Sequence, residues 1–509
     1  MTRLIRCNSV PLATLVFEMD VTGAHGKVTG RFVTGVSCEA HRVRPGELFV
    51  DLGEDDGSGI ELAIERGAVA VVCRGGDWSY RGVTTILVAD PRRALALAAR
   101  AYCGAPDTGL AVIPVVGGGA GCTSTAFFLF QALHTAGLRP ALFGRVHHEI
   151  GGRVIPALGR VLESPEFYQM LRQCPASGCR AAVSELTRDD ILRQRAGGLQ
   201  AAAVVLAGWE AGGSDEPGLG DEAWFLNWLR QTGTRSILGR HDDPVVQRLL
   251  QRAPAGARVV TYGLDPRANI VAERVCYEQF ATRFRLHGPF GTFSVRLPLP
   301  GRQNLVPALA AVAAAASQGL DPETLQQIVE HMMPVPGCLE PVADCGPARC
   351  FVDAARTPAA LNQALRNLRE LVPARLMVVI GSPEGRDAAQ RADLGMVAEQ
   401  LADTVVVTAD NPGSEPFDRI AREMLDGATA PERVIAIADR RAAIAWALAG
   451  LGEGDILLVA GKGQEHYQDL GDTLLPWDDR HVLRETARAL EQQRAVPAPP
   501  AAEEMRALA

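Results

Sequence analysis

The sequence predicts an α/β protein with parallel sheets, divided into three domains. Three observations lead there. The chain has 509 residues, room for about three domains of ~150 residues. Short β-branched runs alternate with segments of helical apolar spacing through most of its length. One such run, Val112 to Val116, passes through Gly117-Gly118-Gly119-Ala120-Gly121 into Cys122-Thr123-Ser124-Thr125 and the apolar stretch Ala126 to Leu133, a strand, a glycine loop and a helix in succession.

From the N-terminus, Val33 to Asp107 forms a small α/β unit. Arg42 to Val50 is a turn feeding a strand, Gly59 to Gly67 a helix, Ala68 to Val72 and Thr84 to Val88 strands, and Pro91 to Tyr102 an Ala/Leu helix. Gly104-Ala105-Pro106-Asp107 is a linker. The second unit opens at Leu110 and adds strands Ala181 to Glu185 and Ala201 to Leu206, a polar loop from Gly208 to Gly220, and a helix carrying Trp224, Phe225, Trp228 and Leu229. A hairpin-like region, Val271 to Leu297, then leads through Gly301-Arg302-Gln303-Asn304 to the helix Ala308 to Ser317. The third unit starts near Val335 with strands at Cys350 to Asp353, Leu376 to Ile380, Thr404 to Thr408, Val434 to Ile437 and Asp455 to Ala460. Beyond Gln492 the Ala/Pro/Glu-rich composition reads as a disordered tail.

Glycines before a helix let backbone N–H groups approach a phosphate at the helix N-terminus, but they also serve any close strand-to-helix turn. A working phosphate loop carries lysine after its last glycine, whose ammonium follows charge into the transition state. Here that position is Cys122. Replacement by a lysine from elsewhere is nearly excluded, because only Lys27 and Lys462 are lysines among 51 basic residues. Arginine binds phosphate but does not readily shift its pKa.

With 47% hydrophobic and 22% charged residues and a net charge of −8, the chain reads as an ordinary soluble protein with no call for nucleic acid. No apolar run is long enough for a membrane span and the N-terminus lacks a signal-peptide pattern. Eleven scattered cysteines without a C-x-x-C pair indicate a reducing, cytoplasmic setting. His147-His148-Glu149 reads as a surface loop, since adjacent side chains on a strand point to opposite faces and cannot chelate together. Asp242-Asp243 reads as a helix N-cap.

In the third unit several motifs occur in order. Val352-Asp353-Ala354-Ala355-Arg356-Thr357-Pro358 resembles V-D-Y-A-H-T-P, and Gly385-Arg386-Asp387 with Arg391 resembles G-D-R-D-x-x-K-R. Asp410-Asn411-Pro412-Gly413-Ser414-Glu415 is similar to D-N-P-R-x-E, Asp439-Arg440 with Ala443-Ile444 to D-R-x-x-A-I, and Ala460-Gly461-Lys462-Gly463-Gln464-Glu465 to A-G-K-G-H-E. Together they resemble the Mur ligases of peptidoglycan precursor synthesis, most closely the MurE type, which adds the third amino acid to UDP-N-acetylmuramoyl-dipeptide. The resemblance runs from Val36 to Arg484. It implies a small N-terminal precursor-binding α/β domain at 1–108, a central P-loop-like ATPase domain at 109–335, a C-terminal Rossmann-like domain at 336–491 and a tail at 492–509.

The family forms an acyl phosphate from ATP and lets an amine attack it, with magnesium and closed domains. The resemblance implies ATP and magnesium, with Glu185 and Asp353 as catalytic carboxylates and Thr123 and Glu185 as metal ligands. It places Gly118, Gly121, Cys122, Thr123, Ser124, Asn304 and Arg440 at the nucleotide. Ser164, Pro165, Arg386, Asp410, Asn411, Lys462 and Glu465 fall at the other substrates, with Ser164-Pro165-Glu166 resembling T-T-P-E. Much of the chemistry is missing. Asp189 stands for the histidine of E-x-S-S-H, and no carbamylatable lysine or D-H-L-D-like segment occurs between Val205 and Gln231. Glu39-Ala40-His41 replaces D-S-R, Cys338 the arginine after V-P-G, Arg356 the histidine before Thr357, and Gly413 the diaminopimelate-reading arginine.

The resulting expectation is a MurE-like homologue lacking standard ligation, acting as a binding protein for a UDP-N-acetylmuramoyl-peptide-like ligand or as partner to an active Mur ligase. An active tripeptide synthetase with a rearranged phosphate site, or a ligase of other acid and amine specificity, remains open. Ala120 to Thr125 should form loop and helix N-terminus. Cys122→Lys should gain nucleotide affinity without turnover, and diaminopimelate should not be preferred over lysine.

Overall fold

The computed structural model describes residues 9–53, 57–157, 162–208, 219–278, 280–346, 348–371 and 373–495. They form two compact units. The first runs to Arg274 and adds Phe284–Val295 and Val306–Glu330; the second holds Val275–Arg283, Arg296–Leu305 and the chain from His331.

In the first unit a five-stranded sheet runs in the order Val21–His25, Thr84–Val88, Ala70–Cys73, Leu48–Val50, Val36–Ser37. The helix Pro91–Tyr102 has the predicted bounds. Asp90 caps it by accepting from Arg93 N, and Pro91 supplies a preset φ at its first turn. Its Ala94, Leu95, Ala98 and Tyr102 are buried in the unit's core.

An eleven-stranded sheet carries the glycine turn on its central strand, Ala111–Gly117. On one side of that strand lie Ala181–Leu186 and then Pro140–Phe143; on the other lie Val204–Gly208 and then Ser236–Arg240. All five are parallel, and their β-branched and apolar composition suits burial on both faces. Ligands of such sheets gather at the carboxyl ends of the strands.

His147–Ile150 is a strand of this sheet, not a surface loop, paired with Pro140–Phe143 and Arg153–Pro156. Neighbours on both sides override its polar composition, and His148 is buried. The Gly208 to Gly220 loop lies mostly outside the described residues, which resume with the helix Leu219–Gln231.

The second unit contains a six-stranded sheet, in the order Glu340–Val342, Arg349–Asp353, Ile456–Ala460, Leu376–Ile380, Thr404–Val407, Val434–Ala436. Only the first strand is antiparallel to its neighbour. The last helix, Asp479–Ala495, extends past Gln492, so the tail begins later than its composition indicates; residues 496–509 lie outside the description. None of the ten described cysteines is in a disulfide. No described helix is long and apolar enough to cross a membrane.

Candidate functional site

Gly117 ends the central strand opposite Gly208, and a Cβ on Gly117 would stand 2.7 Å from the Gly208 carbonyl oxygen, so this approach requires glycine. Only Gly118, the N-cap, separates the strand from the helix Gly119–Thr135. Ala120 to Thr125 is therefore already helical, where the sequence predicts a loop running into the helix. Glycine's low helix propensity is overridden here by packing under the strand. Cys122 is 1% exposed and its thiol donates to the Val115 carbonyl at 3.4 Å. A lysine side chain on this course enters the core instead of reaching a phosphate, which removes the basis for a gain in nucleotide affinity from Cys122→Lys.

The other loop residues hold together. Thr123 Oγ1 donates to Glu185 Oε1 at 2.7 Å, and Arg145 N donates to Glu185 Oε2 at 3.0 Å. Burial pushes the Glu185 carboxyl up, against the Thr123 and Arg145 hydrogen bonds and the Arg145 charge. Thr125 Oγ1 donates to Gly121 O at 2.7 Å and Ser124 is buried. One hydroxyl and one carboxylate, bonded to each other here with the Arg145 charge beside the carboxylate, are the protein groups available to a magnesium shell otherwise made of water and phosphate oxygens. Asp189 does not complete it: its side chain is 58% exposed and pairs with Arg193 at 2.9 Å and Arg195 at 3.1 Å. Among the described residues no three His, Cys, Asp or Glu side chains form a metal-binding group.

Ser164 and Pro165 open the helix Ser164–Ala176, the Ser164 hydroxyl donating to Arg195 O at 2.8 Å. Arg195 also binds Glu163 and Asp190, at 3.1 and 2.6 Å. Asp243 is the helix cap that the sequence predicts, accepting from Val245 N and Val246 N. Asn304 lies in the second unit, where Nδ2 donates to Pro300 O at 2.8 Å.

The second unit brings Asp410, Asn411, Lys462 and Glu465 together in one network. Lys462 is fully buried, with Nζ 2.6 Å from Asn411 Oδ1, 3.3 Å from Asp410 Oδ1 and 3.7 Å from Glu465 Oε2. Asn411 Nδ2 donates to Glu465 Oε2 at 3.0 Å. Burial lowers the Lys462 pKa while the two carboxylates raise it. Arg356 joins them: it pairs with Glu465, lies 3.7 Å from Asp410 Oδ2 and donates from Nε to Gly461 O at 2.7 Å. Two cations thus meet two carboxylates, and Asp410 Oδ2, 3.7 Å from Arg356 Nε, is buried without a hydrogen-bond partner. Gly413 has φ 56° and a Cβ there would stand 2.0 Å from Glu384 Oε2, so a side chain at this position is disfavoured by both backbone and neighbour.

Arg386 is exposed, whereas Arg391, within the same motif, is buried against Glu415 at 2.7 Å and Glu423 at 2.7 Å and holds the Glu415 carboxyl down at about 2. Arg440 is also buried, in a two-bond pair with Asp479 at 2.8 and 2.7 Å. Sequence reasoning missed Asp479, Glu423 and Arg195; the partners lie far along the chain and no local spacing marks them.

Asp353 accepts from Leu339 N at 2.6 Å and Ala355 N at 2.8 Å, but burial prevails and pushes its carboxyl up to about 6 from 3.8. A raised folded pKa contributes stability that is fully present below 3.8 and lost as the pH rises through about 6. Asp353→Asn removes this titration, so urea midpoints should shift in the variant's favour relative to the wild type between pH 4 and 7. Parallel pH profiles for the two proteins would contradict this.

Family models place this architecture. The Mur ligase middle domain matches residues 116–315 and the Mur ligase glutamate ligase domain matches residues 339–463. The UDP-N-acetylmuramoyl-L-alanyl-D-glutamate–2,6-diaminopimelate ligase of Geobacillus thermodenitrificans (strain NG80-2) is 31% identical over 89% of this chain and 94% of its own length. The chain belongs to the Mur ligase family. A UDP-N-acetylmuramyl-tripeptide synthetase of Roseiflexus sp. (strain RS-1) is 32% identical over 92% of this chain and 96% of its own. A solved diaminopimelate ligase shares the Mur ligase fold at TM-score 0.69 and 23% identity, covering 95% of this chain and 100% of that one. The MurF ligase of Thermotoga maritima, solved in complex with ADP, has TM-score 0.55 and 16% identity, covering 91% of this Mur ligase and 98% of that one.

Proposed function

We propose that this Mur ligase homologue binds a phosphate-bearing ligand of peptidoglycan precursor synthesis without carrying out ATP-dependent amide ligation. The observation that carries the reading is Cys122, which puts a buried thiol under the central strand where ligation needs a mobile cation. Removing one preorganised charge commonly costs orders of magnitude in rate. The pairing of Arg356 with Glu465, and its charge beside Asp410, support the same conclusion at the amine side. Its ligand is then a UDP-N-acetylmuramoyl-peptide-like molecule, or its partner an active Mur ligase that it assists.

A second reading, an active tripeptide synthetase with a rearranged phosphate site, is favoured by the 31–32% identity to relatives named as ligases across about nine-tenths of the chain. Phosphate release from ATP and magnesium, with UDP-N-acetylmuramoyl-dipeptide and either diaminopimelate or lysine, separates the two. Release should stay at the level without acceptor. Release that depends on both substrates favours the second reading.

A further inference from the structure

In the second unit a hairpin brings two cysteines together. The strands Glu340–Val342 and Arg349–Asp353 are antiparallel, with Val342 opposite Cys350. Between them the chain turns through Asp344 at φ 61° and Gly346 at φ 78°, and the left-handed backbone is uncommon for a residue other than glycine. Asp344 and Gly346 are exposed, whereas Cys345 between them is 5% exposed and turns into the cluster that holds Val342, Ala348 and Cys350. A Cβ on Gly346 would meet nothing within 4 Å, so within the described chain the turn is open on its outer side.

A second thiol and a cation act on Cys345. The Cys350 thiol donates a hydrogen bond to Cys345, and the Arg484 guanidinium, on the helix Asp479–Ala495, adds positive charge; together they hold the Cys345 thiol below its ordinary value, against burial and the Asp344 carboxylate. The same hydrogen bond, with burial, pushes the Cys350 thiol up. Arg488, one turn beyond Arg484, lies 4.0 Å from Asp344 and offsets that carboxylate. A cysteine favoured as thiolate, at a surface turn and beside a second thiol, is the arrangement that disulfide exchange needs. Cys174 and Cys179 have the same spacing and also share a hydrogen bond, but there burial leads, no cation counters it and the Cys174 thiol is pushed far up.

We propose that Cys345 is a modification site that attacks a low-molecular-weight disulfide, and that Cys350 resolves the product. With glutathione disulfide, the Cys345 sulfur bonds to one glutathione sulfur as the S–S bond breaks and the other glutathione leaves as thiolate. Cys350 then gives up its proton and its sulfur attacks that of Cys345, so the second glutathione leaves. The two departing thiolates take up the two protons that the cysteines lose. Two electrons pass from the cysteine sulfurs to glutathione, and one internal disulfide ties the turn to the strand Arg349–Asp353.

Incubation of the folded full chain with glutathione disulfide, followed by acid quenching, alkylation and mass spectrometry of tryptic peptides, tests the proposal. Trypsin cuts after Arg349, between the two cysteines, so the disulfide joins peptides 303–349 and 350–356. Dithiothreitol should separate them. Peptide 303–349 also carries Cys338, and Cys338→Ser should keep the link. Cys350→Ser should stop with one glutathione on Cys345, and Cys345→Ser should form neither product. Arg484→Gln should slow the linkage about threefold or more, while Cys174 stays reduced. Thermal melts accompany each variant, and the wild-type linkage is decisive where a variant fails to fold. Absence of the linked peptides from the wild type, their loss in Cys338→Ser, or oxidation of Cys174 as fast as that of Cys345 overturns the proposal.

Discussion

Cys122→Lys should lower stability by about 3 kcal/mol or more and leave amide ligation at background. The Cys122 side chain is 1% exposed and bonded to the Val115 carbonyl beneath the central strand. The thiol and the Arg240 guanidinium both act on the Tyr262 hydroxyl, which is itself buried and donates to Leu206 O at 2.8 Å. An ammonium placed there is desolvated, in surroundings that hold the Arg240 cation together with the Asp243 and Asp242 carboxylates, which already accept backbone amides, so desolvation sets the loss. The lysine-less segment between Val205 and Gln231 and the exposed Asp189 remain unrepaired, and residues that act as a unit in catalysis do not contribute additively. Urea unfolding beside a product assay reads both effects. A variant as stable as the wild type would mean that the helix start rearranges to release the side chain.

Asp479→Ala should cost about 3–5 kcal/mol, a loss larger than that from any exposed pair in this unit. Asp479 and Arg440 side chains are both fully buried, and Asp479 Oδ1 also accepts from Trp477 Nε1 at 2.8 Å. Truncation leaves the buried Arg440 guanidinium with the Ala460 carbonyl, at 2.9 Å, as its hydrogen-bond partner among the described residues, and with the more distant Asp410 and Glu465 charges. Replacing both residues, as Arg440→Met with Asp479→Leu, removes the orphaned charge and should recover much of the loss. Unfolding in urea distinguishes the cases. A single variant destabilised by under about 1 kcal/mol, the range of exposed pairs, would show that water reaches the guanidinium.

Legibility in the sequence followed the range of the interaction. The helix Pro91–Tyr102 was readable because Asp90, Pro91 and the Ala/Leu face all act locally, and Asp243 was readable as a cap for the same reason. Strand runs such as Leu376–Ile380 are apolar on both faces, which marks buried parallel strands. His147–Ile150 was not readable, since its strand character comes from pairing on both sides and not from its own apolar pattern. Likewise the helical state of Ala120 to Thr125 is imposed by packing on a segment whose glycines favour a loop. At the candidate site, the loss of the lysine was plain from Cys122, but its burial was not. Lys462 and Glu465 stood out as motif survivors; only the structure joins them to Arg356.

Incubating the protein at a concentration matching its substrates, with ATP, magnesium, UDP-N-acetylmuramoyl-dipeptide and either diaminopimelate or lysine, registers even a single turnover when the UDP-tripeptide is followed by mass spectrometry. A chain that binds phosphate groups without ligating yields no UDP-tripeptide above the protein-free control with either amino acid. One equivalent of UDP-tripeptide per chain would contradict the account.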